Sequence, residues 1–260
     1  MKVSLPKFSL LAGATLSASF QLAAANLVLN GDFENNTGLG ELGPGGKTTI
    51  MNWTVGPGVL NSVTPANSPP FDFIMNNTAS TTGAPSDFGT VYLKGTVPAS
   101  PNGGDFIGAD GGYASAPISQ QIAGLAPNTT YSLSFDWAAS RLTICDNIGT
   151  PCTGNTQDQW QVTFAGQTVT TPLYSETSGQ FSGWMNYSTT FTTGSSVANN
   201  VLNFLALGTP IGEPPFLLLD SVSLTAVTAN TSAPEPGSVA LIAGGILSLI
   251  GVARRHKQRP

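Results

Sequence analysis

Histidine is almost absent from this 260-residue chain, which contains a single one, His256, close to the C-terminus. A Ser-His-Asp or Cys-His nucleophile system, a histidine-ligated zinc site and a histidine general base all need an imidazole inside the folded part of the chain. Because His256 lies in a basic terminal segment, the sequence excludes these classes of site. Carboxylate chemistry remains, but no pair of carboxylates is marked out, so we predict no catalytic residues and no enzymatic activity.

Basic side chains are also scarce. Residues 26–232 contain three of them, Lys47, Lys94 and Arg141, against thirteen acidic ones, which gives this part of the chain a net charge of minus ten. Such a field repels phosphate-rich partners, so we predict no nucleic-acid binding. Divalent cations and neutral sugars remain as possible ligands.

The chain has two cysteines, Cys145 and Cys152, on either side of a short loop that contains Gly149 and Pro151. These loop residues favour a turn that brings the cysteines together. In an exported protein this predicts a disulfide, with two unpaired buried thiols as the alternative. A metal site is disfavoured because two sulfurs are too few ligands.

The N-terminus has the pattern of a secretory signal peptide. Lys2 and Lys7 precede an apolar stretch from Phe8 to Leu16, and the small residues at 23–25 directly precede Asn26. We predict a signal peptide over residues 1–25, removed by signal peptidase. An N-terminal anchor helix is the alternative, but the apolar core is short and interrupted by Ser and Thr.

The C-terminus has three ordered parts. A linker at 229–237 contains Pro234-Glu235-Pro236, an apolar run follows at 238–253, and a basic tail occupies 254–260. At about 1.5 Å per residue, the apolar run only just approaches the length needed to cross a bilayer core of about 30 Å. By the positive-inside rule, a basic cluster keeps this end in the cytoplasm, and its members are Arg254, Arg255, Lys257 and Arg259. Residues 26–232 are therefore predicted to face outward.

Together these three parts resemble the PEP-CTERM sorting signal. The resemblance implies processing close to Pro234-Glu235-Pro236 by exosortase, a membrane transpeptidase of Gram-negative bacteria that also build exopolysaccharide. It implies a protein first held in the inner membrane through a short transmembrane helix, then moved to the cell surface, outer membrane or extracellular matrix. An ordinary C-terminal anchor is the alternative.

The segment between the two ends reads as all-β. In Thr130 to Trp137 apolar residues alternate with Ser132, Ser134 and Asp136, which is typical of a half-buried antiparallel strand. Further strands are predicted at 26–30, 118–122, 159–164, 167–171, 185–192, 200–207 and 217–227. Short strands without intervening helices predict one β-sandwich or jelly-roll domain over 26–228, with long loops between 39 and 101.

Three ordered segments strengthen this prediction by resemblance. Residues 26–34, followed by Trp53, resemble the opening of the galactose-binding-like jelly rolls found in carbohydrate-binding modules and DUF642-type proteins. Residues 119–135 are similar to their middle, and 219–224 to their closing strand. The resemblance implies a jelly roll and does not by itself imply a function.

Asp220 is the charge that most needs a partner. Strict alternation along the last strand puts it in phase with Leu218, Val222 and Leu224, on the face predicted to point inward. A buried carboxylate must accept hydrogen bonds, become protonated or ligate a cation. In the resembling jelly rolls a structural calcium often lies between the first and last strands. This implies a possible site of Glu34, Asp32 and Asp220, with a carboxylate bonded to the backbone as the alternative.

Tryptophans are the candidates for contact with sugars. Trp137 and Trp160 are in phase with apolar neighbours and are predicted to be core residues, whereas Trp53 and Trp184 lie in loop-like sequence and could stack on pyranose rings. The sequence thus favours an exported surface or matrix protein that interacts with exopolysaccharide. The alternatives are a secreted carbohydrate-active hydrolase that uses two carboxylates and a purely structural envelope or biofilm component.

Overall fold

All the regular secondary structure of the described residues is β-strand. The structure is a computed structural model, and it describes residues 24–58, 70–87, 89–145, 149–177, 179–198 and 200–227. The strands of this part are β1 (Gly40–Glu41), β2 (Thr54–Val55), β3 (Asp72–Asn76), β4 (Ala84–Ser86), β5 (Gly89–Val91), β6 (Asp105–Asp110), β7 (Ile118–Gln121), β8 (Thr130–Arg141), β9 (Thr156–Phe164), β10 (Gln167–Thr170), β11 (Tyr174–Glu176), β12 (Met185–Thr192), β13 (Val201–Thr209) and β14 (Pro215–Ala226). The predicted all-β class is confirmed.

Two antiparallel sheets form the body of the fold. The first has the strand order β1-β3-β6-β14-β8-β12, and the second has β10-β9-β13-β7-β2 with β11 beside β9. From β6 to β9, and again from β12 to β14, successive strands alternate between the two sheets, which is the connectivity of a jelly-roll sandwich. The short strands β4 and β5 form a separate hairpin.

The alternation predicted for Thr130 to Trp137 is confirmed. Tyr131, Leu133, Phe135 and Trp137 are buried, and the serines between them are partly exposed. The buried set faces Trp160 and other apolar residues of the second sheet in one core between the sheets, which we call the inner core. Burying side chains of this size stabilises the fold by about 1.5–3 kcal/mol each.

A second apolar cluster covers the other face of the first sheet. Phe106, Phe216 and Leu218 belong to it, together with Leu93 and Leu142 from the segments that cross this face. We call it the outer cluster. The central strands of the first sheet are therefore apolar on both faces, which explains the uninterrupted run at 216–219.

A bulge in β14 changes the face to which Asp220 belongs. The register between β14 and β8 shifts between Asp220 and Ser223, and Ser221 has a positive φ of 57°. Leu217 and Leu219 before the bulge and Val222 after it all lie in the inner core. Asp220 is buried, but it shares its face with Leu218 rather than with Val222 and Leu224. The prediction that it points inward is therefore wrong, because the extra residue of a bulge inverts the alternation.

The predicted first strand at 26–30 is also wrong. This segment has no strand pairing, but it runs along β14: Leu27 N donates to Leu224 O at 2.8 Å and Leu224 N donates to Asn26 Oδ1 at 2.9 Å. The opening and closing segments of the domain are thus neighbours. The left-handed residues Asn30 and Phe33 prevent a regular ladder, with φ of 51° and 55°.

The described residues of the region predicted as loops, 39–101, form five short strands, β1 to β5. The other predicted strands have counterparts in β7, β9, β10, β12, β13 and β14, and Ala165-Gly166 forms the predicted turn between β9 and β10. Both turn residues have positive φ, which suits a two-residue hairpin loop.

The predicted targeting segments fall largely outside the described residues. Residues 1–23 of the signal peptide lie there, as do the Pro-Glu-Pro motif, the apolar run at 238–253 and the basic tail. Within the described ranges no helix is long and apolar enough to cross a membrane.

Candidate functional site

A cavity of about 500 Å³ lies at one end of the first sheet, a size typical of ligand pockets. Its walls come from five separate segments: the entry to β3, strand β5 with the residues after it, the turn after β6, the chain after β8, and the connection between β13 and β14. It opens to solvent, because Tyr92, Ile144 and Ile211 line it and are 38%, 40% and 51% exposed.

Aromatic rings form much of the lining. Phe71 and Tyr113 meet edge to face, with ring centroids 5.8 Å apart and an interplanar angle of 86°, and Phe71 also packs against Phe73 at 4.8 Å. Tyr92 adds a third ring near the opening. Since Phe71 and Tyr113 hold each other in place, this wall is present before any ligand binds.

Asp110 is the acidic residue of this cavity lining. It is 1% exposed, and its Oδ1 accepts hydrogen bonds from the backbone N–H groups of Gly112 at 2.8 Å and Tyr113 at 3.0 Å. These bonds fix the orientation of the carboxyl group. Burial raises the pKa of Asp110 to about 7, against the lowering effect of these two bonds, and the charge of Asp158 raises it further.

A buried ion cluster lies behind this end of the cavity. The guanidinium of Arg141 is fully buried, 3.6 Å from Glu176 and 3.5 Å from Glu213, and its Nη2 donates to Thr156 Oγ1 at 3.4 Å. The Thr156 hydroxyl in turn donates to Asp158 at 2.9 Å. Burial raises the pKa of Asp158 to about 7, although its hydrogen bond from Thr156 and the charge of Arg141 lower it.

The predicted disulfide between Cys145 and Cys152 is present. Cys145 lines the cavity, and Thr153 N, just beyond Cys152, donates to Glu213 at 2.8 Å. The bridge therefore connects the cavity wall to the ion cluster of Arg141. The only group of possible metal ligands found within the described segments consists of Cys145, Cys152 and Glu213, and its two sulfurs are already bonded to each other.

Of the three tryptophans Trp53, Trp137 and Trp160, one, Trp53, is more buried than predicted. Trp137 and Trp160 are core residues as predicted, with 2% and 0% exposure. Trp53 is also a core residue, because it is 6% exposed, packs on Phe33 and donates from Nε1 to Asn30 O at 2.9 Å. Its predicted role in sugar contact is therefore wrong: the loop that carries it folds back over the inner core.

Trp184 is half-buried and lies on the outer face of the first sheet. Its ring meets Phe106 and Phe181 edge to face at 5.3 and 6.0 Å, and its Nε1 donates to Pro98 O at 3.3 Å. It does not line the cavity. A role in sugar contact stays a prediction for this residue.

Asp220 has protein partners for both carboxyl oxygens. The hydroxyl of Ser100 bonds to Oδ2, and Ser221 N donates to Oδ1 at 2.6 Å. Burial raises the pKa of Asp220 to about 7, and the charges of Glu34 and Asp136 raise it further, against those two bonds. Glu34 is exposed and accepts a bond from Asp105 N at 2.6 Å. Asp32 is half-buried in the same N-terminal segment.

As placed, these carboxylates do not fit a ready calcium shell. Asp32, Glu34 and Asp220 do not form a group whose ligand atoms all lie within 4.8 Å of one another, and the oxygens of Asp220 are occupied by protein donors. The arrangement favours the alternative in which hydrogen bonds hold this carboxyl. Calcium binding by the three residues stays a prediction.

The cavity residues were not identified from the sequence. They come from segments up to about 140 residues apart, as from Phe71 to Ile211, and no local motif connects them. Asp110 lies within the Gly-rich stretch at 103–112, which by itself indicates turns around a short strand. A weak signal was present in Tyr113, which follows Gly111 and Gly112, but aromatic residues beside glycines are common in β-sandwich loops.

Comparison with known proteins gives a likeness of fold. No protein-family model and no curated protein matches the chain. Among solved structures, the Stig cyclase Fisc from Fischerella sp. TAU, in complex with (3Z)-3-(1-methyl-2-pyrrolidinylidene)-3H-indole, is 16% identical with a TM-score of 0.50, over 80% of this chain and 100% of that one. This likeness shows the shared all-β fold alone.

Two further structures have lower TM-scores. A cyclase from Fischerella sp. TAU in complex with 4-(1H-indol-3-yl)butan-2-one is 17% identical, with a TM-score of 0.49 over 80% of this chain and 100% of that one. The module TmCBM61 in complex with beta-1,4-galactotriose is 13% identical, with a TM-score of 0.37 over 78% of this chain and 100% of that one. At these scores neither bears on the activity of this chain.

The buried carboxyls predict that stability falls as the pH rises. In the unfolded chain Asp110, Asp158 and Asp220 titrate near about 4, whereas burial raises each folded-state pKa to about 7. Their contribution to the free energy of unfolding is thus complete below about pH 4 and is lost as the pH rises through 7. We expect the melting temperature to fall between pH 4 and pH 7, and Glu41 and Asp72, whose pKa values burial also raises, add to the decrease.

The variant Asp220→Asn tests this explanation, because an amide, like the protonated acid, can donate a hydrogen bond to Ser100. We expect a smaller decrease in melting temperature over the same pH range. Asp87→Asn, a change of an acid that is 41% exposed, is the matched control and leaves the slope unchanged. A wild-type melting temperature that rises from pH 4 to pH 7 contradicts the prediction.

The hydrogen bonds of Asp220 also predict the response to calcium. If Ser100 and Ser221 satisfy this carboxyl, the melting temperature is the same in millimolar calcium and in chelator. A site occupied in the native state alone must instead stabilise the protein when calcium is added. An increase in melting temperature that Asp220→Asn removes would establish the calcium site of Asp32, Glu34 and Asp220.

Proposed function

We propose that this chain is an exported cell-surface or extracellular-matrix protein that binds polysaccharide through the cavity of Phe71, Tyr92, Asp110 and Tyr113, without catalysing a reaction on it. The observation that carries the proposal is an open cavity of about 500 Å³ whose lining includes the aromatic rings of Phe71, Tyr92 and Tyr113. Sites for small molecules commonly have this composition: largely apolar walls and a few fixed polar groups.

The chemistry of a sugar ring suits this lining. The C–H faces of a pyranose are apolar and pack against aromatic rings, while its hydroxyls can form hydrogen bonds with the phenol groups of Tyr92 and Tyr113. Phe71 and Tyr113 are held by ring packing, and Asp110 by two backbone N–H groups. Binding therefore costs little ordering of the protein side of the contact.

A binding role without turnover is favoured over hydrolysis by the number of acids in the lining. Hydrolysis of a glycosidic bond by the usual mechanism needs two carboxyl groups that flank the bond. Among the described lining residues, Asp110 is the single carboxylic acid. Asp158 is buried behind the lining and is hydrogen-bonded to Thr156.

Export and sorting complete the proposal. The N-terminal pattern at 1–25 and the tail with Pro234-Glu235-Pro236 support secretion followed by processing by an exosortase. The disulfide between Cys145 and Cys152 agrees with an oxidising compartment. The final location would then be the surface or matrix of a Gram-negative cell, in contact with its exopolysaccharide.

Binding of glycans tests the first part of the proposal. The full-length chain, kept in mild detergent, is applied to a glycan array that includes neutral polysaccharides and the exopolysaccharide of the producing organism. We expect selective binding, weakened at least about tenfold by Tyr92→Ala, since losing one aromatic contact of about 1.4 kcal/mol has that effect. A blank array overturns the proposal and favours a structural surface component.

Trp184→Ala is the control, because Trp184 is an aromatic residue that lies outside the cavity and also carries a predicted role in sugar contact. We expect binding close to wild type for this variant if its melting temperature shows that it folds. Loss of binding in Trp184→Ala but not in Tyr92→Ala would move the site to the outer face of the first sheet. Release of reducing sugar that Asp110→Asn abolishes would replace binding by hydrolysis.

Sorting is tested separately in a host that contains the exosortase. Replacing Pro234-Glu235-Pro236 by three alanines removes the motif and leaves the apolar run and basic tail intact. We expect the altered chain to remain unprocessed in the inner membrane, whereas the wild-type chain loses its tail, as measured by fractionation and intact mass. Equal processing of both chains contradicts the sorting proposal.

A further inference from the structure

The mouth of the cavity exposes apolar side chains. Tyr92, Ile144 and Ile211 line the cavity, and all three are among the large apolar residues that the described segments leave exposed. They come from three separate segments: the residue after β5, the chain after β8, and the connection between β13 and β14. Single exposed apolar residues are normal on a protein surface, but several that converge on one opening indicate contact with an apolar group.

The apolar lining continues inward from the mouth. Val91, Leu142 and Pro214 line the cavity together with the ring of Phe71. Leu142 is buried in the outer cluster, and Phe71 and Val91 pack against that cluster. The apolar contact surface therefore extends from the opening to the packed outer face of the first sheet, which holds these side chains in place.

The cavity offers a ligand no exposed charge. No lysine or arginine is found among the described lining residues. Asp110 is buried, and its carboxyl group is bonded to the backbone N–H groups of Gly112 and Tyr113. A charged ligand would thus lose hydration without gaining an ion pair, which opposes binding. The lining fits an uncharged ligand.

Side chains that could form hydrogen bonds with a ligand are few. In the described lining, hydroxyl groups are carried by Thr90, Tyr92 and Tyr113. The backbone oxygen of Tyr92 is already used, because it accepts a bond from Thr143 N at 2.9 Å. A hexose has several hydroxyls, and each one that loses water without gaining a partner opposes binding. A sugar that presents an apolar group to the wall is therefore favoured.

From this lining we propose that the cavity selects uncharged glycans whose sugar rings carry methyl groups, with the methyl group against Ile144 and Ile211 and the ring against Phe71 and Tyr113. This inference rests on the proposed function and names its ligand class. The methyl group can be C6 of a 6-deoxyhexose or the end of an O-methyl ether, since both present the same apolar group. A hexose with a free C6 hydroxyl binds less tightly, because that hydroxyl gives up water at an apolar wall.

The test compares sugars that differ at C6 alone. The full-length chain, kept in mild detergent, is bound to the strongest ligand among neutral polysaccharides and the exopolysaccharide of the producing organism. Free D-fucose, D-galactose, 6-O-methyl-D-galactose and D-galacturonic acid then compete for it, and L-rhamnose and L-mannose form a second pair with another ring configuration.

We expect the methyl-bearing sugars to compete at least about fourfold better than their hydroxymethyl partners, which corresponds to about 0.8 kcal/mol for one buried methyl group. D-Galacturonic acid is expected to compete most weakly. Stronger competition by D-fucose than by the methyl ether assigns the ligand to the deoxy sugars, and the reverse order assigns it to the ethers. Both orders support selection of a methyl group.

Two variants of equal exposure locate the effect. Ile211 and Leu173 are 51% and 52% exposed, and Leu173, between β10 and β11, does not line the cavity. We expect Ile211→Thr to reduce the preference for methyl-bearing sugars to about twofold or less and Leu173→Thr to keep it, both with melting temperatures close to wild type. An equal reduction in the two variants overturns the inference, since the preference would then not come from the cavity.

The outcomes separate the two proposals. Equal competition by methyl-bearing and hydroxymethyl sugars, or none by either, overturns selection of a methyl group and leaves polysaccharide binding standing. Absence of binding to every polysaccharide overturns both proposals. Stronger competition by D-galacturonic acid than by D-fucose also overturns the inference, because it would require a basic group in the site.

Discussion

Strand β14 is the constraint on which the rest of the molecule depends. It pairs with β6 on one side and β8 on the other, and its residues are buried on both faces before the bulge. Leu217 and Leu219 support the inner core, while Phe216 and Leu218 support the outer cluster. Each such side chain contributes about 1.5–3 kcal/mol of burial free energy, so both apolar layers have this strand in common.

The bulge at Ser221 shifts the alternation of β14, so that odd-numbered residues before it and even-numbered residues after it face the inner core. Beyond it, Val222 and Leu224 return to the inner core, and Val222 N donates to Gly31 O at 2.8 Å, which attaches the N-terminal segment. Gly31 is required at this contact, because a Cβ there would lie 2.1 Å from Val222 O. Asp220, directly before the bulge, lies on the outer face of the first sheet, where the Ser100 hydroxyl bonds to its carboxyl group.

The sequence predicted most of the long strands, and it missed β3, β6 and the irregular parts of the fold. Alternation in Tyr131 to Trp137 was sufficient for the first part of β8, where one face is apolar and the other polar, but not for residues 138–141, which are buried on both faces. The same reasoning failed for Asp220, because one added residue inverts every later position, and an isolated Ser is no signal of a bulge. It failed for Trp53, because a loop that folds over a core has no periodicity.

The residues of the candidate site could not be predicted from sequence patterns, for a different reason. The residues that line the cavity stand at 71, 92, 110, 113, 144 and 211, and only the topology of the sheets brings them together. The acidic composition of residues 26–232 was visible from the start. What it could not indicate is that each of the three basic residues is engaged with a partner in the fold, Arg141 with two carboxylates of the buried cluster.

The disulfide between Cys145 and Cys152 makes the covalent support of the cavity wall depend on the redox state of the surrounding compartment. Cys145 is part of the cavity wall, and Thr153, just beyond Cys152, holds the Glu213 that pairs with Arg141. In the reducing cytoplasm, where the thiols stay separate, this wall has no covalent support. If the chain is exported as proposed, this wall gains its covalent support only after the chain has left the cytoplasm.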